Sequence, residues 1–152
     1  MKSFSRLLVV FTLLLCGVNT LKAQSSLKDD EANKAAEVKN LVNSKDFVFE
    51  ATNKGSVPLG YHKYDVAIAK DTLIAELSSG RVPVKFDCTH FDYKTWRGKN
   101  GNWEVVIKPD TRMTDVKQMK MEITPMGHAM LQVVRGNGNP LSFAGYIKQE
   151  DY

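Results

Sequence analysis

Two periods of apolar residues divide this chain. Between Leu27 and Ser44, the residues Ala32, Ala35, Val38, Leu41 and Val42 recur at steps of three and four, the spacing of one helical face. Asp29, Asp30 and Glu31 crowd the start of that segment, where the helix dipole favours anions, and Ser26 with Asp29 resembles a capping box. The stripe is narrow and rich in alanine, so the helix is expected to lie against a sheet or plug one end of it. After Lys45 the period falls to two, the alternation of half-buried strands. Phe47, Phe49 and Ala51 open the series, a Gly/Ser/Pro loop from Asn53 to Gly60 follows, and Tyr64, Val66 and Ile68 turn near Lys70-Asp71 to face Leu73, Ala75 and Leu77. Val82, Val84 and Phe86 make the next strand. Continued alternation there would bury Cys88, His90 and Asp92 and expose Phe91 and Tyr93, so a β-bulge or break is predicted at Cys88 to Thr89.

The stretch Phe91 to Ile107 fixes the rest of the pattern. A two-residue turn centred on Asn100-Gly101 would set Lys108 opposite Tyr93 and pair apolar with charged residues. A three-residue loop of Lys99-Asn100-Gly101 instead sets Trp103 across from Arg97, Val105 from Thr95 and Ile107 from Tyr93. A slip of one residue would flip every side chain, so this match selects the longer loop. The same device recurs at Pro125-Met126-Gly127, which pairs Ile123 with Ala129, Met121 with Leu131 and Met119 with Val133. It recurs again at Gly136-Asn137-Gly138, which pairs Val133 with Leu141, Leu131 with Phe143 and Ala129 with Gly145. Pro109 to Asp115 reads as a polar loop. The fold predicted is α+β and mostly β: an amphipathic helix at about 27–44, then an antiparallel meander of about eight or nine strands over 46–148, curled into a barrel or half-barrel to hide its edges. A two-layer β-sandwich is the alternative.

The N-terminus changes how the charge is read. Lys2 and Arg6 precede an apolar run, Leu7 to Leu15, too short to span a bilayer as a helix, and Leu21-Lys22-Ala23 ends in a small residue. Residues 1–23 are therefore expected to be a signal peptide, with 24–152 a single globular domain that is periplasmic or extracellular and has no transmembrane span. Loss of Lys2, Arg6 and Lys22 lowers the formal net charge from +4 to +1, which removes the electrostatic footprint of a nucleic-acid partner. Lipid attachment at Cys16 is the competing reading, although Leu15 stands where a small residue is usual. Cleavage after Ala23 would leave Cys88 as the single cysteine and no internal disulfide.

With these residues in place the chain resembles a family of exported Bacteroidota proteins, domain of unknown function 4251. The matching pieces are Phe47-Val48-Phe49, Tyr64-Asp65-Val66, Asp71-Thr72-Leu73, Gly80-Arg81, Phe91-Asp92-Tyr93, Gly101-Asn102-Trp103-Glu104-Val105, Gly127-His128-Ala129 and Pro140-Leu141-Ser142-Phe143 before Gly145. Ser78-Ser79 depart from the family pattern, which tends to carry a proline and an aromatic there. The resemblance implies export and a single fold, and brings no catalytic residue.

Candidate chemistry is sparse. His90 and Asp92 share one strand face, and His128 could add a third metal ligand from another hairpin. Cys88 has His90 nearby, but among valines and phenylalanine it reads as a small core residue. No phosphate loop, nucleophile elbow or paired-cysteine motif is present, and no cofactor is expected. The outward face of the meander is largely polar (Lys94, Glu104, Lys120, Glu122, Gln132), interrupted by Trp96, Met130, Val134 and Tyr146, with Tyr146 opposite His128. Trp96, His128, Met130 and Tyr146 are the candidate binding residues, because aromatics and methionine favour interfaces. Asp71-Thr72-Leu73 resembles a short O-glycosylation acceptor. The function expected is an exported binding or structural module, holding a small apolar ligand between sheet and helix or docking an envelope protein through the outer patch. The alternative is an envelope hydrolase or metal-dependent enzyme using His90, Asp92 and His128.

Overall fold

The computed structural model describes residues 27–59, 65–77, 83–136 and 138–149. The expected signal peptide, Cys16, Ser26, Tyr64, the Ser78-Ser79 stretch and Val82 lie outside these residues. The chain divides into two compact units, Met1–Lys34 and Ala35–Tyr152. In the first, the described residues 27–34 are helical.

Helix α1, residues 27–44, continues into the second unit, where Val38, Leu41 and Val42 are buried and join the core. Ala32, placed on the apolar stripe by periodicity, is exposed. Lys45 ends the helix in the left-handed conformation (φ 55°) usually taken there by glycine, and its carbonyl accepts a hydrogen bond from the Lys70 amide at 2.8 Å.

Among the described residues ten antiparallel strands follow: β1 Asp46–Lys54, β2 Val57–Pro58, β3 Asp65–Ala69, β4 Thr72–Leu77, β5 Val84–Cys88, β6 Phe91–Arg97, β7 Trp103–Pro109, β8 Val116–Ile123, β9 His128–Arg135 and β10 Leu141–Lys148. The short β2 pairs with β1 inside the stretch expected to be loop, and Pro109, expected to open a loop, is a buried end of β7. The remaining nine strands run β5-β4-β3-β1-β10-β9-β8-β7-β6. Consecutive strands β5 and β6 thus occupy opposite edges, joined only by Thr89 and His90. Laid flat, those edges would stand about 38 Å apart at ~4.8 Å per strand. Three Cα steps from Cys88 to Phe91 reach about 11 Å at most. The sheet must therefore curl, and it forms a nearly closed barrel with its seam between β5 and β6; the sandwich alternative is not adopted. The predicted register reset at Cys88 to Thr89 is this jump between edges.

The three hairpins beyond the seam have the registers their apolar pairs dictate. Arg97 faces Trp103, Ile123 faces Ala129, and Val133 faces Leu141. In the first two loops the closing bonds match: Gly101 to the Gly98 carbonyl and Gly127 to the Thr124 carbonyl, with Gly101 and Gly127 at φ 81° and 86°. Inside the barrel, Phe47, Phe49, Ile68, Leu73, Leu77, Ile107, Met119, Leu131 and Phe143 are wholly buried. Side chains with no exposure touch no water-sized void, so around these residues the interior is filled by the chain itself. The β1–β10 junction is equally close. Ala51 faces Gly145 beside a bulge in β1, and a Cβ at Gly145 would lie 2.0 Å from the Glu50 carbonyl oxygen.

Candidate functional site

Because strands alternate, burying Val105, Ile107, Met119, Met121, Leu131 and Val133 turns the intervening side chains of β6 to β9 outward. Register then sorts them into rows across the strands. One row is Trp96, Glu104, Glu122 and Met130; the next is Lys94, Val106, Lys120 and Gln132. On this outer face the two rows together with Lys108, Gln118 and the 97–100 turn line a groove of about 1100 Å³.

Trp96 is 44% exposed and Met130 52%, so the groove offers apolar surface at both ends of one row. Between them Glu104 and Glu122 stand directly opposite each other, an unfavourable like-charge pairing. The second carboxylate is relieved: Asn102 Nδ2 and Asn100 Nδ2 donate to Glu122 Oε1 at 2.7 and 2.9 Å and hold its carboxyl below the ordinary range. Arg97 is committed elsewhere, over the Trp103 ring at 4.5 Å from its centroid and bonded to the Gly101 carbonyl. Among the described residues, Lys94, Lys108 and Lys120 form no ion pair.

Of the four candidate binding residues, Trp96 and Met130 come together in this groove. His128 and Tyr146 do not line it. They face each other one row further along, and Tyr146 is engaged by Glu50, whose carboxylate also pairs with Lys148 at 2.6 Å. Glu50 raises the Tyr146 pKa, as expected for a phenol donating to a carboxylate. Lys94 and Lys120, read from the sequence as ordinary members of a wet face, are central to the groove, with Val106 between them. Their rows follow from register, but the groove has no local sequence signal.

A second hollow of about 580 Å³ lies where β5 passes to β6, lined by Asp87, Cys88, Thr89, His90, Asp110, Arg112 and Met113. Cys88 is 3% exposed and burial pushes its thiol pKa up, so it behaves as the core residue expected, not as a thiolate. Arg112 caps the hollow through its pair with Asp110, whose carboxyl it holds down at about 2. His90 contacts Thr89 Oγ1 at 3.2 Å. The proposed trio is not assembled. His128 lies level with Gly98, eight positions along β6 from His90 and three strands away, which is roughly 26 Å by 14 Å. Among the described residues no group of three His, Cys, Asp or Glu could hold a metal ion. Thr72 of the glycosylation-like motif is half-buried beside the Lys70-Asp71 turn.

Comparison with known proteins agrees with the fold. No curated protein matches the sequence. The crystal structure of a DUF4251 family protein from Bacteroides eggerthii is similar over 78% of this chain and 89% of that chain, with a TM-score of 0.53 at 15% identity, a likeness of fold. The family model described as Domain of unknown function (DUF4251) matches residues 29–147. That match runs from within α1, through the strands from β1 to β9, to Ile147 in β10, and on it this chain belongs to the DUF4251 family.

Proposed function

We propose that this chain is an exported docking module, binding and not catalytic, which receives a protein partner on the outer face of β6 to β9. The observation that carries the reading is the groove itself: Trp96 and Met130, exposed large apolar residues, line one groove with Val106 on a sheet face that is largely polar. A buried aromatic anchor ringed by polar groups is the usual composition of an interface centre. Export is supported by the basic start, apolar run and small residue at Ala23. The filled interior favours the outer face over an internal ligand.

The test is the size of the chain's native assembly in extracts of its own cells. The wild type should run in a complex, and a W96D/M130D variant should run free while keeping the wild-type melting temperature. Identical elution of the two proteins would overturn the proposal.

A further inference from the structure

The groove's charge pattern points to the chemistry of its occupant, an inference that rests on the docking reading above. Its lining carries five cations, Lys94, Arg97, Lys99, Lys108 and Lys120, against the two carboxylates Glu104 and Glu122. Residues 24–152 together have a formal net charge of only +1, so positive charge is concentrated on this face and the remainder of that chain is net acidic. Lys94 and Lys120 flank Val106 in one row, two strand spacings or roughly 10 Å apart. Among the described residues neither spends its charge on a carboxylate.

We infer that the groove receives an acidic segment of a partner protein, with carboxylates set against Lys94 and Lys120 and an apolar side chain against Trp96 and Val106. The neighbouring Glu104–Glu122 row decides between anionic classes. A polymer charged at every unit, such as a sulfated glycan or single-stranded nucleic acid, must lay charge across that pair. A polypeptide can space its carboxylates to meet only the lysine row. Met130 and Val106 also present curved aliphatic surface, which suits an apolar side chain.

Selection of random displayed peptides on the folded chain tests this. Expected peptides are rich in Asp and Glu beside Leu, Phe or Met, shift the amides of Lys94, Val106 and Lys120, and lose affinity about tenfold for a K94E/K120E variant. Basic or uncharged peptides that still shift Trp96 and Met130 would overturn the charge assignment and leave the docking reading standing. No enrichment, or peptides that leave this whole face unshifted, would overturn both. Heparin oligosaccharides or a single-stranded oligonucleotide displacing the selected peptides with tighter binding would overturn the polypeptide assignment.

Discussion

Replacing Gly145 with alanine probes the junction on which the barrel depends, where β10 meets β1. The new Cβ would stand 2.0 Å from the Glu50 carbonyl oxygen and 2.9 Å from the Ala51 Cα. Both are backbone atoms, so no side chain can swing aside. Bringing the carbonyl to the 3.0 Å limit requires the strands to part by roughly 1 Å. Overpacking of this kind costs about 1–3 kcal/mol, and each ladder hydrogen bond weakened around residue 145 adds about 1 kcal/mol. Alanine recovers roughly 0.5–1 kcal/mol, because glycine in a strand is entropically costly. The net loss is about 3 kcal/mol, or a fall of about 10 °C in Tm for a domain of this size. Thermal and urea unfolding followed by circular dichroism measure it, with Gly101→Ala for comparison. That position has nothing within 4 Å, so the cost there arises from its φ of 81° alone, about 1–2 kcal/mol. A Gly145→Ala protein within 1 kcal/mol of wild type would refute the close approach of β1 and β10.

Three further outcomes follow from the same geometry. Tyr93 donates to the Val42 carbonyl at 2.8 Å and burial pushes its pKa well above the ordinary 10, so its contribution to stability should be constant below pH 10 and be lost above it as the unfolded phenol ionises first; Tyr93→Phe should cost about 1 kcal/mol at neutral pH and flatten that alkaline slope in urea titrations. Asp110 should titrate near pH 2 by carboxyl-carbon NMR and return toward about 4 in Arg112→Ala; its folded pKa is lowered, so its contribution is present above the unfolded value and is lost as pH falls toward 2. Cys88, buried and with a raised pKa, should react with a thiol reagent at pH 8 at least about 100-fold more slowly than free cysteine and at full speed in urea; fast reaction in the native state would contradict its place in the core.

What the sequence conveys about this fold is its local pairing. Gly101 and Gly127 in third loop position, with like facing like on the arms, identify hairpins and register because apolar alternation and turn geometry constrain the same residues. Long-range pairing has no such double constraint. The β1–β10 contact joins residues nearly a hundred apart, and its one trace, Gly145, is equally well read as the partner of Ala129. The break after Cys88 is visible as a conflict of faces, but the jump across the barrel to the other edge depends on the sheet closing. The same holds for function. Trp96 and Met130 stand out as apolar residues on a polar face, while His128 and Tyr146, which share their outward direction, fall a row beyond the groove. Lys94 and Lys120 look like any solvated lysines until register and curvature place them around Val106.

The most direct test of the docking face is site-specific photo-crosslinking in intact producing cells. A crosslinking residue at Met130 is compared with one at Ile74, which is also exposed and apolar (45%) but lies on β4 away from the groove. The account predicts a discrete protein adduct from position 130 and none from position 74. Adducts of equal yield from both, or none from 130, would contradict it.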